Sequence, residues 1–183
     1  MALALVHHPV VNKNGETIAA AVTALDLHDI SRAARTYGVG PFYVVTPLED
    51  QQRLVTSIAD HWLTGVGSKY NPDRKEALEL IRLTASLTQA RQDLKRATGS
   101  DPQTVVTSAR MAGCDLNYAG LRRLAASGRP TLLVFGTAWG LAPEIMQQAD
   151  YRLAPITGGG DYNHLAVRSA VAIILDRLIG DEV

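Results

Sequence analysis

The part of the chain that most limits its fold is 129–180, where two short apolar runs each give way to a glycine-rich loop before one long amphipathic segment. Residues 131–135, Thr-Leu-Leu-Val-Phe, are too few for a stable helix and aliphatic enough to be a buried strand. Gly136-Thr-Ala-Trp-Gly140 ends that run, and glycines allow a backbone to come close to a ligand. A second apolar piece, 151–156, leads into Gly158-Gly159-Gly160, and 163–179 has the spacing of an amphipathic helix. Two glycine loops after two consecutive strands offer backbone amides and carbonyls rather than charged side chains. A cofactor site is therefore expected here, with the rest of the chain building the substrate side. The spacing of the triple glycine fits a flexible turn equally well.

The preceding residues alternate in the same way. Residues 3–6 and 42–46 are apolar strand candidates, the second stopped by Pro47. Between them, Ile30, Ala33, Ala34 and Tyr37 fall at helical spacing, with Asp26 or Asp29 as the expected cap and Gly38 as the stop. Helices are expected over 49–62, 73–83, 84–98 and 117–126, a loop over 65–72, and a strand over 104–108. Strands alternating with helices predict an α/β fold, a mostly parallel sheet covered on both faces. At 183 residues, with no internal repeat and no linker, a single domain over 1–183 is expected.

Composition excludes several classes of function. Lys+Arg and Asp+Glu both number 18, so no bulk charge draws the chain to nucleic acid, although a local basic patch remains compatible. The single Cys114 excludes a disulfide framework. No apolar stretch approaches the length of a membrane span, and the amino-terminal residues lack a basic region of the signal-peptide kind, so a cytoplasmic protein without a membrane partner is expected. Neither a G-x-G-x-x-G fingerprint after the first strand nor a G-x-x-x-x-G-K-[ST] loop is present. His7, His8, His28, Asp26 and Asp29 lack the spacing of three or four convergent ligands, so no metal is expected. Ser108, Ser169 and Cys114 lie outside any nucleophile motif.

Two clusters suit an anionic, planar partner. Arg32 and Arg35 are three apart on the expected helix, and guanidinium forks fit phosphates and base edges. Lys69, Tyr70, Arg74 and Lys75 combine charge with a ring, the means by which a nucleic-acid strand is held. A solvated face for the first cluster and an ordinary exposed loop for the second are the plainer alternatives.

Several of these residues form a pattern. The Phe135-Gly136-Thr-Ala-Trp-Gly140-Leu141 loop, the Asp150-Tyr151-Arg-Leu153 piece, the glycine run and 174–180 resemble the SPOUT superfamily of S-adenosylmethionine-dependent RNA methyltransferases. Within it, the carboxy-terminal region is similar to that of the tRNA (guanine-N1)-methyltransferases. Asp26-x5-Arg32-x5-Gly38-Val39 has the spacing of the Asn-x5-Arg-x5-Gly-Val motif of the ribose-methylating branch, with Asp in place of Asn. His7-His-Pro-Val10, Asp26-Leu-His-Asp29 and Tyr70-Asn-Pro-Asp-Arg74 are similar to a small bacterial family of standalone knotted RNA methyltransferases.

The resemblance implies a deep trefoil knot over about 104–180, a homodimer, S-adenosylmethionine (SAM) as cofactor and an RNA substrate, either tRNA or rRNA. It assigns the donor to Thr107, Ser108, Gly136, Thr137, Gly140, Leu141, Ile156, Gly158, Gly159, Gly160 and Leu165. Arg32 is carried over as the catalytic or phosphate-binding arginine, and Arg35, Lys69, Tyr70 and Arg74 would face RNA. The guanine-N1 enzymes take their base from a separate carboxy-terminal domain, whereas the sequence in hand ends at Val183. The proton acceptor is therefore expected among Asp26, Asp29 and His28, which lie nearest to Arg32. A catalytically silent SAM- or RNA-binding knot protein is the alternative.

Overall fold

A computed structural model describes residues 1–110 and 113–180. The first strand, β1 (Ala2–Val6), leads into a small antiparallel ribbon of β2 (Val10–Val11) and β3 (Thr17–Ile18). Then follow α1 (Ala24–Thr36), β4 (Phe42–Val45), α2 (Glu49–Leu63), α3 (Val66–Tyr70), α4 (Pro72–Leu78), β5 (Ile81–Thr84) and α5 (Leu87–Thr98). The second half holds β6 (Gln103–Val106), α6 (Tyr118–Ala126), β7 (Thr131–Gly136), α7 (Pro143–Gln148), β8 (Tyr151–Arg152) and α8 (Val167–Ile179).

Six strands form one sheet in the order β5-β4-β1-β7-β6-β8, and every pair is parallel. Side-chain alternation divides the core between its two faces. Leu3, Leu5, Phe42, Val44, Leu133 and Phe135 pack with Leu27 and Ile30 of α1 and with Val171, Ile174 and Leu175 of α8. The neighbouring residues Ala4, Val6, Tyr43, Val45, Leu132 and Val134 pack on the other face with Ala90 and Leu94 of α5 and Ile145 of α7. These strands are buried on both sides, which is why they read as continuous apolar runs. The chain moves outward from β1 through β4 to β5, returns to β6, and then places β7 between β6 and β1. Such reversals of direction leave a crevice at the carboxyl ends of the strands.

The mostly parallel α/β sheet agrees with the sequence reading, while several boundaries differ. Residues 81–84 are a strand, against the helix expected over 73–83 and the helical reading from 84. The Ile-Arg-Leu-Thr segment pairs in parallel register with β4, Phe42 opposite Ile81, and that partner lies about forty positions away, beyond any local periodicity. The loop expected over 65–72 contains α3, and α8 begins at Val167 rather than near 163. The strand expected over 151–156 is confined to Tyr151–Arg152, with Leu153 bridging to Leu116. Helix α1 is capped by Thr23, whose hydroxyl accepts from the Asp26 N–H at 3.2 Å. Asp26 thus stands inside the first turn and Asp29 in the second; neither is the cap.

Candidate functional site

The carboxyl edge of the sheet opens into a cavity of about 430 Å³, within the range typical of small-molecule sites. Its walls come from the segments after β6 (Thr107, Ser108, Ala109, Arg110), after β7 (Phe135 to Gly140) and after β8 (Ala154, Pro155, Ile156). The approach to and start of α8 and the start of α1, with Thr23 and Asp26, close the remaining sides.

Backbone bonding fixes the β7 loop. The Thr137 N–H and hydroxyl both donate to the carbonyl of Val6, at 3.2 and 3.0 Å. Trp139 N–H donates to Val11 O at 3.0 Å, and Val11 N–H returns a bond to Gly140 O at 2.9 Å. Gly140 holds φ of +119°, in the region that favours glycine. On the neighbouring segment, Thr107 anchors to Val134 O through its N–H at 3.0 Å and its hydroxyl at 3.1 Å.

Charge enters through a cross-chain link that the sequence reading did not find. Arg168, in the first turn of α8, reaches Asp26 Oδ1 with Nη1 at 3.4 Å and Asp29 Oδ2 with Nε at 3.4 Å. The Thr23 hydroxyl donates to the other Asp26 oxygen at 2.7 Å. Both carboxylate oxygens of the buried Asp26 are therefore partnered, which is what permits an acid to stand in a cavity wall. Arg168 is a cation within an otherwise apolar helix start, a pattern visible in sequence; its partners, on a helix 142 positions earlier, are not.

Beneath this wall, His7 is fully buried, and neither ring nitrogen has a hydrogen-bond partner among the described residues. Burial holds the imidazole below its ordinary value, opposed by the Asp26 charge and by the nearby backbone of Ala21 and Ala20. His28, the third base candidate, belongs elsewhere. Its ring stands edge-on to Trp62 with centroids 5.4 Å apart, and it is absent from the cavity lining. Burial and the neighbouring Arg74 and Arg32 cations lower its pKa, with Asp29 opposing.

Of the residues assigned to the donor, Thr107, Ser108, Gly136, Thr137, Gly140, Ile156 and Leu165 line the cavity. Leu141 is buried in the core beside α7, and Gly158, Gly159 and Gly160 are exposed outside the lining. Among the catalytic candidates, Asp26 lines the cavity and Asp29 reaches it through Arg168, while Arg32 is exposed and outside the lining. The basic cluster falls on the outer face of α1 to α4. Arg74 lies over the Trp62 ring at 4.5 Å, Arg35 pairs with Glu76, and Lys69 and Tyr70 are exposed. Ala20, Ala21, Thr23, Trp139, Asn163 and Arg168 are lining residues that sequence reasoning did not single out.

A parallel α/β sheet with a cavity at its carboxyl edge, walled by backbone loops and one held carboxylate, is the arrangement in which open α/β folds bind small ligands. A family model described as SAM-dependent RNA methyltransferase matches residues 1–180, and the chain belongs to that family. Two curated relatives, each named tRNA (guanine-N(1)-)-methyltransferase, are 47% identical in Oleidesulfovibrio alaskensis and 50% identical in Nitratidesulfovibrio vulgaris. Each alignment covers 97% of this chain and 41% of the relative, so the chain spans about two fifths of their length. A protein of Aquifex aeolicus described as uncharacterized is 42% identical over 96% of this chain and 86% of its own. Among solved structures, an A. aeolicus TrmH/SpoU tRNA modifying enzyme superposes with a TM-score of 0.58 at 19% identity, over 97% of this chain and 72% of that one. The SpoU methyltransferase AviRb of Streptomyces viridochromogenes, crystallised with AdoMet, gives a TM-score of 0.57 at 18% identity, over 98% and 56% of the two chains. These likenesses establish the fold as that of SPOUT methyltransferases.

The residues present fit the family's donor, SAM. The apolar walls Phe135, Ile156 and Ile174 suit an adenosyl group, and the backbone of the strand-following loops suits its polar rim. Among the described residues, no cluster of His, Cys, Asp or Glu could hold a metal ion, and no helix is long and apolar enough to cross a membrane.

Proposed function

We propose that this chain transfers a methyl group from SAM to a base or ribose of tRNA or rRNA, as a cytoplasmic homodimer with its site at the subunit interface. The supporting observation is the cavity itself, where three strand-following loops meet the amino-terminal turn of α1 around Asp26. On this reading 1–183 is one domain, with the knot over about 104–180 enclosing the donor. Bound SAM supplies an electrophilic methyl on sulfur. The chain's own contribution is to hold the reactants in line, exclude water and receive one proton from the acceptor. The β7 loop and the Thr107–Ser108 segment orient the donor, and Arg168 fixes the carboxylates. Asp29, half-exposed beside Arg168, is better placed than Asp26 to take a proton, because Thr23 and Arg168 already occupy both Asp26 oxygens. Arg32, on the outward side of α1, meets the acceptor, with Arg35, Lys69, Tyr70 and Arg74 along the RNA.

Calorimetry tests the donor side: SAM or its demethylated product should bind the purified protein, and silence at millimolar ligand removes the proposal. Nucleoside mass spectrometry of RNA from a deletion strain, before and after incubation with protein and SAM, identifies the modified nucleotide. A second reading, a catalytically silent SAM- or RNA-binding protein, draws support from Arg32, which is exposed and stands outside the cavity lining. It predicts donor binding with no new methylated nucleoside.

A further inference from the structure

The mouth of the cavity carries a large exposed aromatic side chain. Trp139 lines the cavity yet is 59% exposed. The backbone bonds to Val11 hold it on both sides, and Ala138 before it adopts φ of +51°. Among the described residues the exposed tryptophan and tyrosine side chains are Tyr70, Trp139 and Tyr162, and of these Trp139 lines the cavity. The Tyr162 ring stands edge-on to His164, itself a lining residue, with centroids 6.4 Å apart. Arg110 lines the same edge. The buried Phe135 and Ile174 already wall the inner cavity, so the indole faces what arrives from outside. An exposed indole on a backbone-anchored loop, at a cavity that an arginine also lines, suits an unpaired base by stacking and its phosphate by charge.

We propose that Trp139 is the platform on which the acceptor nucleobase of a single-stranded RNA segment stacks as it meets the donor, with Arg110 facing the adjoining phosphate. The inference rests on the methyl-transfer reading and adds the acceptor's place to it. An unpaired base exposes the π-face that stacking needs, whereas a base within a duplex does not.

The chain has two tryptophans, so Trp62→Phe leaves Trp139 as the reporter. With the demethylated donor product at saturation, single-stranded deca-adenylate should quench its fluorescence, and the same strand in a duplex should not. Trp139→Ala should weaken deca-adenylate binding by about tenfold or more with the product kept at saturation, and Trp139→Phe should restore most of the loss. The wild-type protein against Trp139→Phe gives the same signal by difference if Trp62→Phe does not fold. Absence of quenching overturns the proposal. So does displacement of deca-adenylate by the donor product, which would put the indole on the donor side. Conversion of a dimer to a monomer by Trp139→Ala in sedimentation would also overturn it, making this rim a contact between copies of the chain. Quenching by deca-adenylate without any donor binding would instead retain the platform and remove the methyl-transfer reading.

Discussion

Gly136-Thr-Ala-Trp-Gly140 and Gly158-Gly159-Gly160 both follow strands at the same edge of the sheet, yet a methyl group added to each would meet opposite surroundings. At Gly136 an added Cβ would stand 2.6 Å from the backbone nitrogen of Leu141 and 2.9 Å from the carbonyl carbon of Gly140, backbone atoms that cannot swing aside. At each of the three consecutive glycines nothing lies within 4 Å, and none holds a positive φ. Glycine in the first loop is a steric requirement that brings the backbone against β2 and the end of β1. In the second it leaves an open, exposed segment between β8 and α8. Only the first loop walls the cavity. Glycine content alone therefore identifies neither a binding loop nor a flexible one; the space around each Cα does.

The sharpest test of that contrast is Gly136→Ala. It should cost about 2–3 kcal/mol in chemical denaturation and abolish binding of the demethylated donor product in calorimetry. Retention of both would mean that the loop is free to shift and that the contrast is overstated. Arg168→Ala comes next, because it strips Asp26 and Asp29 of their cation on the opposite wall. A loss of about 1–2 kcal/mol is expected, moderated by the partial exposure of Arg168, together with a fall in methyl-transfer kcat larger than any change in donor affinity. Arg168→Lys, which cannot serve two carboxylates with one fork, should rescue little.

His7 follows the Val6 carbonyl on which Thr137 hangs, so its titration bears on the locked loop. Its folded pKa lies below the ordinary histidine value of 6.5, and the unfolded chain therefore takes up the proton first. The contribution of neutral His7 is complete above pH 6.5 and falls as the pH drops below that value. Asp26 is the charged group that acts on it, and the slope cannot exceed about 1.4 kcal/mol per pH unit. Denaturation midpoints between pH 7 and 5 should decline in the wild-type protein more than in His7→Gln. The smallest effect belongs to Gly159→Ala, with a change within about 0.5 kcal/mol and unaltered donor binding. Loss of binding there would show that the open loop closes over the donor after all.

Much of the architecture was legible because strands buried on both faces carry their own signature. Residues 3–6, 42–46 and 131–135 were read as strands and lie together in the centre of the sheet. The peripheral β5 was not legible: its alternation of half-buried and exposed residues is weak, and it follows directly on the helical α4. Around the cavity, the resemblance carried by short motifs led to Thr107, Gly136, Thr137 and Ile156, all of which line it. Thr23 and Arg168 gave no such signal, because each matters through a partner on another element.

The sequence by itself determined the alternation of elements, the parallel sheet and the family, since buried runs, stops and short motifs are all written in neighbouring residues. Only the tertiary structure decided which glycine loop walls the cavity, that Arg168 spans two carboxylates, and that Arg32 and His28 stand outside the cavity lining. The physical reason is that steric room, burial and charge pairing are properties of distances between segments far apart in the chain. No local pattern encodes the 142 positions that separate Asp26 from Arg168.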